Sequence, residues 1–353
     1  MLLLAPGGLV GQTLQAGDPE APAFATVRDH SSVRVELPGR RLVEVALGDG
    51  VELGSLAASG DRWLLAATRL GVDGRRRLVL ASGDDDTWRE IPGPLVQHAT
   101  VRSEPVLLGG ADAPLLGADL AVAWLEGDGS QRQSVRVARL RDGVFAEPET
   151  VAAAGPGSQV ALRGAELLDG TWLLVWNAFD GEDNEIVWSW NRGGEWSAPA
   201  RVGGDNRVPD VAPAVVAFGT GALVAWSRYD GRDYRLHLAR LDHGEWSEPR
   251  AIGGPGSSSP SFLGDEARSL LLWTEASPRR WTVAELAEGD NGLVLPARSA
   301  TARTPLDETP VVVLSADGGA SLRWPPSAQR RRASALPLRW SQPSPPRAPE
   351  GAR

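Results

Sequence analysis

The stretch His243–Gly254, HGEWSEPRAIGG, nearly reprints Gly193–Gly204, GGEWSAPARVGG, fifty residues earlier. A repeat at that period constrains the chain more than any single residue does, because units of this size bury their apolar faces only against one another. The pairing of an aromatic or apolar residue with a Pro three positions on recurs at Trp196-Pro199, Trp246-Pro249, Phe145-Pro148, Trp340-Pro343 and Leu293-Pro296, and with one extra residue at Trp88-Pro92. An alternating apolar run precedes each copy, usually ending in Trp: Trp124, Trp176, Trp226, Trp273 and Trp324, with WLLAA (63–67) in the first unit. The two markers are 20 or 21 residues apart in five units and 16 in the last, so they keep one phase.

In the clearest unit, APAVVAF (212–218), ALVAWSRY (222–229), YRLHLARL (234–241) and EWSEPRAI (245–252) alternate with period two. Their joints, Gly219-Thr-Gly221, Asp230-Gly231 and Asp242-His-Gly244, supply the positive φ of tight hairpins. Four antiparallel strands in about fifty residues is the build of a propeller blade. The expected fold is all-β: a six-bladed β-propeller of four-stranded antiparallel blades over residues 51–340, with Trp side chains filling the wedges between sheets. Residues 1–50, with a hairpin-like pair at SSVRVEL (31–37) and RRLVEVAL (40–47), are read as a segment closing the ring, or alternatively as a seventh blade. Residues 341–353 form a Pro-rich tail expected to be disordered or extended.

Charge and composition narrow the function. A net charge of −9 argues against nucleic acid and anionic membrane surfaces, which need clustered cations. Lysine is absent, a bias that fits GC-rich coding, and Arg330-Arg331-Arg332 reads as a solvated strand end. With no cysteine there is no disulfide framework and no thiolate metal site or thiol nucleophile. No run of eighteen apolar residues spans a membrane. The opening MLLLAPGGLVG has the length of a signal-peptide apolar region and Ala23-Phe24-Ala25 fits the small-x-small rule, although a basic start is missing; an extracellular or periplasmic location is the favoured expectation.

The turn before each outer-strand aromatic, as in DHGEW, NRGGEW and LRDGVF, resembles a shortened Asp box, and SGDDDTW (82–88) keeps Ser82, Asp84, Thr87 and Trp88 of the S-x-D-x-G-x-T-W pattern. On these turns the chain resembles the sialidase-like, BNR-repeat propellers. The resemblance implies a propeller and says little about activity, because Asp boxes in that family are structural turns. Sialidase chemistry would further require an arginine triad, a Tyr–Glu pair and an Asp acid/base. No Arg-Ile-Pro motif occurs; VELP (35–38) places Glu36 where the first arginine would lie, and the two tyrosines, Tyr229 and Tyr234, both fall in the fourth full unit.

Ligands of propellers usually meet the mouth formed by inter-blade connections and by the hairpins joining second and third strands. Two such hairpins share a pattern, Phe179-Asp-Gly-Glu-Asp183 and Tyr229-Asp-Gly-Arg-Asp233, an aromatic platform with carboxylates suited to stacking on a sugar. They lack the alternating oxygen ligands of a calcium loop, so no cofactor or metal is expected, Ca²⁺ being the one option kept open. The connection GGDNRVPD adds Asp205, Asn206, Arg207 and Asp210; RTPLDE adds Arg303, Asp307 and Glu308; QHATVRSE adds His98, Arg102 and Glu104. Of these, Arg102, Glu104, Asp205, Asn206, Arg207, Asp210, Arg303 and Asp307, with Phe179 and Tyr229, are the candidate ligand contacts. The expected function is a non-catalytic, monomeric recognition module for glycan or protein ligands. The alternative is a glycoside hydrolase of exo-sialidase type drawing its carboxylates from Asp205, Asp210, Asp307 and Glu308.

Overall fold

The structure, a computed structural model, describes residues 13–16, 23–29, 31–37, 42–59, 62–84, 86–91, 93–94, 100–101, 105–109, 120–127, 132–141, 144–155, 157–204, 206–265, 268–276, 279–289, 294–302, 310–314, 319–324 and 334–340. No α-helix occurs among them, and none is long and apolar enough to cross a membrane. The expected all-β propeller is what the chain forms, with seven blades: the alternative count holds and the count of six is corrected.

Blade 1 holds β1 (Thr13–Ala16), β2 (Ala23–Val27), β3 (Ser32–Glu36) and β4 (Leu42–Ala46). Blade 2 holds β5 (Glu52–Ser59), β6 (Arg62–Leu70), β7 (Arg76–Gly83) and β8 (Trp88–Ile91). Blade 3 comprises β9 (Thr100–Val101), β10 (Val106–Leu108), β11 (Leu120–Gly127), β12 (Gln133–Arg141), β13 (Val144–Phe145) and β14 (Glu149–Ala152). Blade 4 follows with β15 (Gln159–Glu166), β16 (Trp172–Phe179), β17 (Asn184–Arg192), β18 (Glu195–Trp196) and β19 (Ala200–Arg201). Blade 5 repeats that plan in β20 (Asp210–Phe218), β21 (Gly221–Tyr229), β22 (Tyr234–Asp242), β23 (Glu245–Trp246) and β24 (Arg250–Ala251). Blade 6 has β25 (Ser257–Asp265), β26 (Arg268–Ala276), β27 (Arg279–Glu288) and β28 (Val294–Ala302); blade 7 has β29 (Val311–Leu314), β30 (Ala320–Trp324) and β31 (Ser334–Leu338). Every ladder is antiparallel, and the innermost strands adjoin around the centre from blade 1 through blade 6 and again between blades 7 and 1.

The repeated phrase has a local mechanical reason. Glu245-Trp246 pairs with Leu241-Asp242 across a turn whose His243 and Gly244 both take positive φ, as a two-residue hairpin of this hand requires. Gly244 also leaves room for Trp190 of the preceding blade: a Cβ there would stand 2.7 Å from the Trp190 ring. Ser247 then donates its backbone N–H to Arg240 O (2.8 Å) while its Oγ accepts the Arg240 N–H (3.0 Å), and Ser197 does the same with Trp190 at 2.8 and 3.2 Å. Pro249, which has no N–H to offer the ladder, follows at the break before β24 resumes pairing with β22. The outer strand is thereby split in two by design of the phrase.

Trp124, Trp176, Trp226 and Trp273 occupy the same place on the second strand of blades 3 to 6, and all four are buried. Each belongs to the apolar cluster shared with the preceding blade: Trp124 with Leu64 and Ile91, Trp176 with Val106 and Val135, Trp226 with Ile186 and Trp188, Trp273 with Leu236 and Leu238. Trp246 meets Trp188 edge to face, their centroids 5.6 Å apart, and so lengthens the wedge outward. Among the described residues six such clusters join blades 1 through 7 in succession.

At the seventh joint, between blade 7 and blade 1, the described residues show a charged contact. Arg323 on β30 lies over the Phe24 ring at 5.3 Å and donates from Nη2 to Glu36 Oε1 at 3.1 Å. Arg323→Ala is expected to lower stability by about 1–2 kcal/mol, a half-exposed ion pair and a cation–π contact being worth about 0.5–1 kcal/mol each. Urea unfolding of the variant beside wild type reads this directly, and an unchanged midpoint would show that the joint is held by something else.

Candidate functional site

Because strands alternate in direction, the second-to-third hairpins and the inter-blade connections fall on one face of the ring. That face in blades 4 and 5 carries the densest polar constellation among the described residues. It is assembled from the hairpin between β16 and β17, the first residues of β17, residues 206–209 of the connection, and the paired ends of β20 and β21.

At its centre is Asp210, the first residue of β20 and only 1% exposed. Register places it opposite Arg228 on β21. The guanidinium grips it with two parallel bonds, Nε to Oδ1 and Nη2 to Oδ2, both 2.7 Å, and this bond to Asp210 raises the Arg228 pKa above its usual value. Arg228 also lies over the Trp226 ring at 5.7 Å, and His237 stacks on that indole at 5.9 Å, burial depressing the imidazole pKa. Asn177, from blade 4, donates to the Asp210 carbonyl oxygen at 2.5 Å and so fixes where blade 5 begins.

Glu185, opposite Ala178 and likewise 1% exposed, is the second buried acid. Asn206 Nδ2 reaches both carboxyls, Asp210 Oδ2 at 3.2 Å and Glu185 Oε2 at 3.5 Å, while its Oδ1 accepts the Val208 N–H at 2.9 Å. Burial, then the nearby Asp210 and Asp183, push the Glu185 carboxyl up to about 7. A carboxyl poised there can hold or release a proton at neutral pH.

The two hairpins above this layer share one turn. Asp180 Oδ1 accepts the Glu182 and Asp183 amides at 2.8 and 3.1 Å; Asp230 Oδ1 accepts those of Arg232 and Asp233 at 3.0 and 2.8 Å. These amides hold the Asp180 carboxyl below its usual range and, with Arg235, bring Asp230 down to about 2. Arg201 Nη2 meets Asp180 Oδ2, and Arg235 Nε meets Asp230 Oδ2, each at 2.7 Å. Phe179 and Tyr234, each 36% exposed, stand at the hairpin feet, and Tyr229 packs against Tyr234 at 5.3 Å while donating its hydroxyl to Gly231 O at 3.0 Å.

The structure thus brings Phe179, Asn206, Asp210 and Tyr229 onto one sector of the face, with Arg207 exposed beside them. Asp210 has both oxygens engaged and no open approach. His98, Arg102, Glu104, Asp205, Arg303, Asp307 and Glu308, the arginine run 330–332 and the tail 341–353 lie outside the described residues. Glu185, Arg228, Asn177 and Tyr234 went unselected in the sequence reading. Aligning FDGEDNE (179–185) with YDGRDYR (229–235) exposes the signal: two charge reversals, Glu182/Arg232 and Glu185/Arg235, and Asn184 against Tyr234, around a shared aromatic-Asp-Gly-x-Asp frame. At the single turn closest to an Asp box, Asp84 Oδ1 accepts the Asp86 and Thr87 amides and the Thr87 hydroxyl at 2.9–3.1 Å.

No protein-family model and no curated protein matches the chain. Among solved structures it is similar to the polysaccharide lyase Uly1, at 11% identity and a TM-score of 0.54, over 95% of this chain and 90% of that one. A protein of unknown function from Dyadobacter fermentans is similar at 16% identity and a TM-score of 0.51, over 82% and 94% of the two chains. The chain also matches a prolyl endopeptidase structure at 13% identity and a TM-score of 0.52, over 93% of its own length and 47% of the other's. At these identities the shared property is the propeller fold.

Proposed function

We propose that this chain is a non-catalytic, sialidase-like propeller that recognises a glycan at the blade 4–blade 5 sector of its mouth, as a monomer at or outside the cell envelope. One observation carries the reading. Of the mouth's two described buried acids, Asp210 is bound bidentately by Arg228 and Glu185 is only 1% exposed, whereas Phe179 and Tyr234 keep exposed ring surface beside charged hairpins. Open rings next to hydrogen-bonding groups suit the apolar face and hydroxyl rim of a sugar. A protein ligand is the other occupant this surface would suit.

The test is a glycan array followed by titration of any hit. Tyr234→Ala and Phe179→Ala are each expected to weaken binding by roughly 3- to 10-fold, one stacking contact being worth about 0.5–1.5 kcal/mol. Affinity indifferent to both substitutions would place the ligand elsewhere. The hydrolase alternative draws on Glu185, whose carboxyl near 7 is what a general acid needs. Turnover of aryl-glycosides, sialosides included, that disappears in Glu185→Gln would replace the binding-module reading.

A further inference from the structure

The hairpin between β16 and β17 and the strand that follows it bring three carboxylates together. One oxygen each from Asp180, Asp183 and Glu185 lies within 4.8 Å of the others. Acidic clusters are common, and this one has a second property that most lack. Glu185 is buried to 1% exposure, its Oε2 has only the 3.5 Å contact with Asn206, and its Oε1 has no hydrogen-bond partner among the described residues. A buried carboxylate oxygen without a donor is costly, and the carboxyl that bears it has an oxygen within 4.8 Å of those of two further carboxylates.

The neighbouring blade supplies an internal comparison. Its hairpin makes the same turn through Asp230 and Asp233, yet places Arg235 where blade 4 has Glu185, and Arg235 Nε binds Asp230 Oδ2 at 2.7 Å. Blade 5 therefore carries a counter-cation in its own strand. Blade 4 has an acid at that position and draws its cation from another strand: Arg201 on β19 binds Asp180 Oδ2 and acts electrostatically on Glu185. We propose that Asp180, Asp183 and Glu185 form a divalent-cation site, with Ca²⁺ the ion best matched to three carboxylate oxygens on a hairpin and a strand end. Hard, oxygen-coordinated Ca²⁺ tolerates irregular geometry and takes 6–8 ligands, the remainder being backbone carbonyls or water. Asp180 Oδ1 remains tied to its turn amides, so the ion would be met by Oδ2 in place of Arg201. Such an ion would tie the hairpin that follows Phe179 to the first residues of β17.

The test uses the full chain stripped with chelator, then titrated with CaCl₂ by calorimetry and by thermal unfolding, with MgCl₂ in parallel. A saturable rise in melting temperature with one bound ion is expected, at a Kd no weaker than about 10⁻³ M, the upper end for extracellular calcium modules. Glu185→Gln, which keeps the side chain's shape, should weaken the ion at least tenfold, as should Asp183→Asn. Glu182→Gln in the same hairpin and Asp233→Asn in the sister hairpin should leave it unchanged. The proposal is overturned if wild type shows no response at about 10 mM CaCl₂, tenfold above that range, or if Glu185→Gln responds as wild type does.

Discussion

Replacing Arg228 by Ala is expected to destabilise the protein by about 3–5 kcal/mol, because it strands a buried carboxylate rather than merely deleting a bond. Asp210 is shut away from water at the joint of blades 4 and 5, and the guanidinium satisfies both of its oxygens. Asn206 offers one further donor at 3.2 Å and cannot neutralise the charge. The signature of this mechanism is its reversal. Removing the orphaned charge as well, in Arg228→Met with Asp210→Asn, should recover more than half of the loss, and Arg228→Lys should fall between, since one ammonium cannot form the parallel pair. Urea unfolding followed by tryptophan fluorescence reads all four proteins. A loss below about 1 kcal/mol for Arg228→Ala would mean that Asp210 is hydrated in solution.

The second large effect has the opposite sign. Glu185→Gln is expected to stabilise the chelator-treated protein at pH 8 and to leave it almost unchanged at pH 4. In the folded chain the carboxyl is held up to about 7 against an ordinary 4.5, so unfolding releases a proton between those values. The penalty for ionising it is absent below about 4.5, grows as pH rises, and is complete above about 7. Its ceiling is roughly 3 kcal/mol at 1.36 kcal/mol per pH unit, reduced by whatever water the site admits. Only the difference between the two proteins isolates this residue, because other groups titrate in both. Parallel pH profiles would show that Glu185 is solvated.

Much of the ring was legible in the chain. Period-two runs, Gly-containing joints and the phase between Trp226 and Trp246 correctly anticipated the sheets of blades 2 to 7 and the buried positions of Trp124, Trp176, Trp226 and Trp273; the side chain of Trp324 lies outside the described residues. Blade 1 was harder to see for a physical reason: it has neither Trp marker nor outer Trp-x-x-Pro phrase, and its small, all-buried β2 strand, AFATV, reads equally as a processing site. Ala23-Phe24-Ala25 lies inside that strand, paired with β1 and β3. The site was less legible than the fold. Asp210 could be named as a loop acid, but its partner Arg228 sits on a strand eighteen residues away, and only the register across a bulge makes them opposite. That bulge recurs in the first strands of blades 4, 5 and 6, with Ala161, Ala212 and Ser259 each at positive φ, and Pro213 and Pro260 mark two of the three. Those prolines were a sequence clue to where the innermost ladders break.

The Arg323 clamp gives the circle a direction. Oil-filled wedges are nearly indifferent to dissolved ions, whereas a guanidinium held between an arene and a carboxylate weakens as brine crowds it. Among the described residues, six apolar clusters and this one clamp fasten neighbouring blades, and rising ionic strength acts on the clamp first. A ring that gave way there would open as a horseshoe, with its earliest and latest blades as the two free ends.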